Sequence, residues 1–440
     1  MLIMKFGGTS VGKPERMKKI AELVLSTPGK KIVVLSALSG TTNALVSIGE
    51  HLLAGQKAKA EEVIVDLEKH YEAFIKELYG SEAFLAIGQE IVSRYFIFIR
   101  LLAAGQFDNK SYRELLAQGE LISTELFYQH VQERKISARL LPALYFMSID
   151  ENEEPELEKI SERLKPLLSS LNNIEVIITQ GYICRNHRNE IDNLKRGGSD
   201  YTASLIGSAI RAEEIQIWTD IDGMHNNDPR IVKKTIPISE LTFDEASELA
   251  YFGAKILHPS TIVPAQKYNV PVRLKNTMDE KAFGTIITSK GTEGSFKAIA
   301  AKDGITAINI KSSRMLMAYG FLRRVFEVFE NHKTSIDMVT TSEVAVSLTI
   351  DNNTHLASIE NELKKFGNIE VDKDQAIICI VGNKITEQKG MLNKIFDALA
   401  EIPLRMICSG GSPNNVTVLV HKQYKNKALN LLNEGLFGLK

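Results

Sequence analysis

Apolar positions along the chain switch between two periods. Leu2 to Phe6 reads as a short buried strand, ended by Gly7-Gly8-Thr9-Ser10. From Pro14, a favoured first-turn residue, Met17, Ile20 and Val24 recur at helical spacing. Lys31 to Leu35 is a second apolar strand, and it runs through the hydroxyl-rich Ser36-Ala37-Leu38-Ser39-Gly40-Thr41-Thr42-Asn43 into another helix. This alternation predicts a parallel sheet with crossover helices. Residues from about 55 to about 135 keep a helical period, with Gln118-Gly119-Glu120-Leu121-Ile122-Ser123 interrupting or opening one of the helices. Further strands are expected at Ile174 to Gln180, Glu214 to Trp218, Pro271 to Lys275 and Thr285 to Ser289. Phe243 to Leu257 is expected to be helical, with Lys255 near its end.

After a linker-like Gly291-Thr292-Glu293-Gly294-Ser295 the pattern changes. Strand, helix, strand, strand, helix, strand can be read from Ile305 to Val371, and a similar set starts at Ala376. Gly320-Phe321-Leu322-x-x-Val325-Phe326 corresponds to Gly390-Met391-Leu392-x-x-Ile395-Phe396, a repeat at an offset of 70 residues. Each half matches a ferredoxin-like βαββαβ unit. The second half runs out of chain one strand short, and Phe296 to Ala301 has no partner of its own. The first small unit is therefore expected to be inserted in the second. The division expected is 1-290 for a catalytic α/β domain, 305-374 for the first small unit, and 295-303 with 375-440 for the second.

Composition narrows the class. The 440 residues are 44% hydrophobic and 24% charged, as in a folded globular protein. Fifty-three basic and 54 acidic side chains leave a net charge of −1, so no global positive field draws the chain to nucleic acid. Cys184, Cys379 and Cys408 are far apart and form no Cys-x-x-Cys, which points to neither a disulfide framework nor a zinc site and fits a reducing cytoplasm. The N-terminus lacks a signal peptide's apolar core. The most apolar helical run, Ile91 to Ala104, holds Arg94 and Arg100 and is too short and charged to cross a membrane.

Lys195-Arg196-Gly197-Gly198-Ser199-Asp200 is the stretch with the clearest chemistry. Two glycines allow a tight turn and close approach to a ligand, and Ser or Asp then caps a helix whose free N–H groups attract anions. By itself it reads more simply as a capped helix after a glycine turn. The loops after the predicted strands, including Thr219-Asp220-Ile221-Asp222-Gly223-Met224-His225-Asn226-Asn227-Asp228-Pro229-Arg230, all leave carboxyl ends, where open parallel sheets bind ligands.

Taken together, Lys5-Phe6-Gly7-Gly8-Thr9-Ser10-Val11, Ser36-Ala37…Gly40…Thr42-Asn43, Gly119-Glu120, Arg196-Gly197-Gly198-Ser199-Asp200-Tyr201, Trp218-Thr219-Asp220…Asp222-Gly223…Asp228-Pro229-Arg230 and Gly253-Ala254-Lys255…His258-Pro259 resemble, in order, the motifs of the aspartate kinases of the amino-acid kinase family. The tail is similar to a tandem pair of ACT domains. The resemblance implies an amino-acid-kinase-like sheet sandwiched by helices, and phosphorylation of the L-aspartate β-carboxylate by ATP with Mg2+. Two anions must then meet, so catalysis is chiefly charge neutralisation and positioning. It implies that Lys5 reaches the transferring phosphoryl group and that Asp200 orients lysines or helps hold magnesium. Gly7, Gly8, Gly197 and Gly198 would offer amides to phosphate oxygens. Thr42, Glu120, Arg196, Gly198 and Ser199 would serve the amino-acid substrate, Glu120 its ammonium group and Arg196 its α-carboxylate. Thr219, Asp220, His225, Asp228, Arg230 and Lys255 would line the nucleotide side.

For the tail it implies an amino-acid sensor, with lysine the usual effector, at Met315, Ala318, Phe321, Leu322, Ile336, Asp337, Thr341, Ser342 and Glu343. Asp337 or Glu343 would take the effector's ammonium group, and a homodimer through the tails is expected. Each residue also has a plainer use: Asp200 as a helix cap, Glu120 as a first-turn carboxylate, Lys255 as a last-turn lysine, and Phe321, Leu322 and above all Phe326 as core. The chain departs from the family pattern at Glu190 to Lys195, where threonines and a glycine are usual, and at Cys184, where a glycine is. Rival readings are another amino-acid kinase with a different acceptor and a non-catalytic amino-acid sensor. A fused dehydrogenase is not expected, since no Gly-x-Gly-x-x-Gly is present.

Overall fold

The computed structural model describes residues 1–195, 197–253, 257–312 and 319–439. In chain order the strands are β1 (Leu2–Phe6), β2 (Lys31–Leu35), β3 (Ala138–Leu140), β4 (Val176–Gln180), β5 (Ile183–Arg185), β6 (Ile191–Asn193), β7 (Glu214–Thr219), β8 (Glu240–Thr242), β9 (Val272–Asn276), β10 (Thr285–Thr288), β11 (Phe296–Lys311), β12 (Val339–Thr341), β13 (Ala345–Ile350), β14 (Asn368–Gly382), β15 (Met406–Cys408) and β16 (Asn415–His421). The helices are α1 (Gly8–Val11), α2 (Pro14–Ser26), α3 (Thr41–Leu53), α4 (Lys57–Leu78), α5 (Glu82–Ala104), α6 (Asn109–Glu133), α7 (Leu157–Ser170), α8 (Gly198–Ile210), α9 (Phe243–Tyr251), α10 (Pro259–Tyr268), α11 (Phe321–Asn331), α12 (Leu356–Leu363), α13 (Met391–Ala398) and α14 (Lys422–Phe437). They fall into two compact units, Met1–Met224 with Leu257–Ser289, and His225–Ile256 with Lys290–Lys440.

In the first unit seven strands run in the order β3-β4-β2-β1-β7-β9-β10. All neighbours are parallel except β10, which returns antiparallel to β9. β2 is buried at every position, and Ile3, Met4 and Phe6 of β1 have no exposed surface. Strands apolar on both faces demand cover on both, the parallel sandwich that the sequence pattern predicts. Met4, Phe6, Val33 and Leu35 join one core with side chains of α2 to α6.

Two elements differ from the sequence expectation. Gln118 to Ser123 neither interrupts nor opens a helix, because α6 runs unbroken from Asn109 to Glu133. Gly119 is there for close approach: a Cβ would meet Ala37 Cβ at 2.8 Å and Thr41 Cγ2 at 3.1 Å. The described part of the helix starting at Phe243 ends at Tyr251, short of Leu257; Lys255 lies outside the described residues.

In the second unit a six-stranded antiparallel sheet runs β12-β13-β11-β14-β16-β15. β11 and β14 are long and pair along their length, Phe296 with Gly382 at one end and Lys311 with Asn368 at the other. Phe296 to Lys302 thus lies against Ile377 to Gly382, while Thr306 to Lys311 lies between β13 and the start of β14. Two cores form, one around Phe321, Val325 and Phe329 of α11, the other around Ile395 of α13 and Leu429 and Leu432 of α14. The repeat is visible in detail. Gly320 and Gly390 cap α11 and α13 at φ 75° and 80°, and Val325 and Ile395 are both fully buried.

Candidate active site

Three carboxyl-end segments of the first unit's sheet and the head of α8 meet at one pocket of about 520 Å³. Gly8 and Thr9 follow β1, Ser36 to Gly40 with Thr42 and Asn43 follow β2, Tyr182 follows β4, and Gly198 and Ser199 open α8; Glu120 of α6 closes it. The parallel order β4-β2-β1 puts the three strand ends side by side. Ser36 Oγ donates to Ser199 Oγ at 2.9 Å, and Ser123 Oγ to the Ser36 carbonyl at 2.7 Å, tying the β2 loop to α8 and α6.

The head of α8 is built by its glycines. Gly197 is the N-cap in the left-handed region at φ 71°, with Gly198 at 49°, and no side chain caps the helix. The expectation that Ser or Asp caps it is corrected: Ser199 and Asp200 lie in the first turn. Asp200 is thereby released for an ion pair, its Oδ1 2.5 Å from Lys5 Nζ at the end of β1. Lys5 is 9% exposed, and a Cβ on Gly7 would lie 3.2 Å from its Nζ. Arg196 lies outside the described residues.

Glu120 is 4% exposed. Its Oε1 accepts from the Ala37 amide at 3.2 Å, while buried Oε2 has no hydrogen-bond partner. Burial pushes its carboxyl up to about 8, against the opposing pull of the Ala37 amide and, more weakly, the Lys5 charge. A buried carboxyl with one oxygen left over in a pocket is a ready receptor for a cation.

Sequence reasoning named neither Tyr182 nor the bonds that hold it. Tyr182 sits at φ 66°, its amide donating to Thr202 Oγ1 at 2.8 Å and its carbonyl accepting from Leu194 N at 2.8 Å. A left-handed tyrosine is strained and persists only where neighbours fix it. The one available signal was Gly181 just past a predicted strand.

Thr219 ends β7 and Asp220 follows it in the same unit, but neither lines this pocket; Thr219 Oγ1 donates to Asp220 Oδ1 at 3.2 Å. His225, Asp228 and Arg230 belong to the second unit. There His225 Nδ1 is 2.7 Å from Thr235 Oγ1, and Arg230 forks onto Asp228 at 2.9 and 2.7 Å, holding that carboxyl below the usual range.

Of the tail positions, Met315 and Ala318 lie outside the described residues. Phe321 is buried in the core against Phe366, Ile336 packs on that core, and Leu322 is exposed. Phe326, expected as core, is 38% exposed, because α11 turns Val325 and Phe329 inward instead. Thr341, Ser342 and Glu343 are exposed. Asp337 already holds a cation: Lys302 Nζ lies 2.9 Å from its Oδ1 and 2.8 Å from Asp351, over the Tyr251 ring.

Residues 1–276 match the amino acid kinase family and residues 378–436 an ACT domain. Lysine-sensitive aspartokinase 3 of Escherichia coli (strain K12) is 33% identical to this chain over 453 residues, 99% of each. The solved E. coli aspartokinase III in complex with aspartate and ADP (R-state) superposes with a TM-score of 0.85 at 33% identity, covering 99% of this chain and 100% of that one. The same protein in complex with lysine and aspartate (T-state) gives 0.82 at 34% identity over 99% of each.

Proposed function

The chain belongs to the amino acid kinase family, among its ATP-dependent aspartate kinases, and on that footing we propose that it phosphorylates the β-carboxylate of L-aspartate under feedback control by lysine. One observation carries this reading: the Lys5–Asp200 pair at the head of α8, in the unit whose pocket holds a buried, half-satisfied Glu120. Lys5 and the amides of Gly7, Gly8 and Gly198 offset the charge of γ-phosphoryl group and acceptor as they approach in line. Asp200 fixes the Lys5 ammonium. Glu120 takes the substrate ammonium, Arg196 its α-carboxylate, and Thr42 and Ser199 add hydroxyls. Thr219, Asp220, His225, Asp228, Arg230 and Lys255 serve the nucleotide.

Magnesium is commonly held by one or two carboxylates plus substrate phosphates. Among the described residues no cluster of three His, Cys, Asp or Glu side chains suits a metal, and Asp200 is a part-exposed carboxylate near Lys5. That donor set fits an ion arriving with ATP. Asp200 would hold it, and it would neutralise phosphate charge.

Lysine control rests on the likeness to a lysine-sensitive relative and on the acidic Asp337. An effector ammonium must compete with Lys302 for that carboxylate, and it inhibits only by favouring one of two states. We further assign 1-290 to catalysis, 305-374 to the first ACT unit, and 295-303 with 375-440 to the second. The pairing of Phe296–Lys302 with Ile377–Gly382 supports this insertion. A cytoplasmic homodimer joined through the tails completes the reading. Aspartate-dependent ADP release, run with and without lysine, threonine or methionine, tests it; no release with aspartate sinks the acceptor, and indifference to lysine sinks the control.

A further inference from the structure

One ionic cluster in the first unit has no part in the chemistry above. Arg113 stands on α6 seven residues before Glu120, close to two full turns, so the two share a side of the helix. Its Nε lies 3.1 Å from Asp192 Oδ2 on β6, and its Nη2 3.5 Å from Glu190. Asp192 is 5% exposed, with Oδ1 accepting from the Asn193 amide at 2.8 Å and Oδ2 from Asn186 Nδ2 at 3.3 Å. Ion pairs on open surface are worth little, but here loss of the guanidinium strands a buried carboxylate.

The anchored segment matters for where it leads. β5 and β6 form a hairpin, and the Leu194–Tyr182 bond adds a rung beyond it, onto a residue that lines the pocket. Five residues after Asp192 the chain turns left-handed at Gly197 and enters α8. A single helix therefore carries Glu120 and also grips the lead-in to the Gly197–Ser199 turn. We propose that Arg113 is a positioning residue which, by holding Asp192, sets the spacing between Glu120, which takes the substrate's ammonium group, and the Gly198–Ser199 turn on the other side of the pocket. This rests on the reading of Glu120 and the Gly198–Ser199 turn as the substrate's receptors. An amino acid held between two such groups is sensitive to their spacing, and a misplacement of about 1 Å can cost up to about 100-fold.

Steady-state kinetics of the full-length Arg113→Met, Arg113→Lys, Asp192→Asn and Glu120→Gln enzymes test this. Arg113→Met and Asp192→Asn raise KM for aspartate about tenfold while KM for ATP stays within about twofold. Arg113→Lys falls between, since an ammonium keeps the charge but cannot fork onto both carboxylates. A merely structural role lowers Tm and kcat and leaves both KM values in place. Aspartate KM within about twofold of the parent in Arg113→Met and Asp192→Asn, or both KM values moving together, overturns the proposal. Should Arg113→Met not fold, the isosteric Asp192→Asn decides. Glu120→Gln separates the two readings. Unchanged aspartate KM there overturns the pocket assignment, and with it the proposal. A raised KM there with Arg113→Met and Asp192→Asn unmoved overturns the role of Arg113 alone.

Discussion

Glu120 is the residue whose chemistry depends most on its surroundings. With the carboxyl raised to about 8, much of it is protonated in the empty pocket at neutral pH. It must ionise to pair with an ammonium, so KM for aspartate should fall as pH rises from about 6 to about 9, and Glu120→Gln should flatten that profile. Linkage gives a second consequence. The folded value lies above the ordinary one, so between about 4.5 and about 8 the native state binds more protons than the unfolded, and stability declines as pH rises. Glu120→Gln should thus gain Tm over the parent at alkaline pH without substrates; a parent no less stable at high pH contradicts the burial argument. Lys5→Ala should cost about 10²–10³ in kcat with the fold intact, the usual loss for a charge-stabilising donor; near-normal turnover in folded protein would remove Lys5 from the mechanism.

At the scale of elements, glycines decide how closely segments meet. A Cβ on Gly181 would come 2.3 Å from Ser199 Cβ and Oγ, so Gly181→Ala must push the β4 loop off the first turn of α8. We expect a loss of about 1–3 kcal/mol in stability together with a raised aspartate KM, read by denaturant melts and kinetics. Unchanged melts and kinetics would show that the contact yields freely. The sequence marked the glycines of the β1 loop and the α8 turn by their motifs. Gly119 was misread as a break, because period alone does not tell a glycine that ends a helix from one that lets another segment lie against it. The tail repeat was legible, since Val325 and Ile395 recur at one position of matching helices. The exposure of Phe326 was not, because which side of an amphipathic helix faces the core is settled by its neighbours.

At the scale of the molecule, the strand segment Phe296–Lys302 pairs with Ile377–Gly382, 75 and more residues downstream. A fragment starting at residue 305 leaves the edge Ile377–Gly382 unpaired and should aggregate, whereas one starting at 290 should be more soluble and better protected in amide exchange. Equal behaviour of the two would refute the need for that strand. What the sequence determined alone was the alternation of strands and helices, the parallel sheet, the doubled tail and the ordered motifs, because these rest on local period and on residue types that only certain turns accept. The tertiary structure alone decided the burial that shifts Glu120, the left-handed Tyr182, the capture of Asp337 by Lys302 and the grip of Arg113 on Asp192. Each depends on groups distant along the chain, whose approach and shared exclusion of water no local pattern encodes.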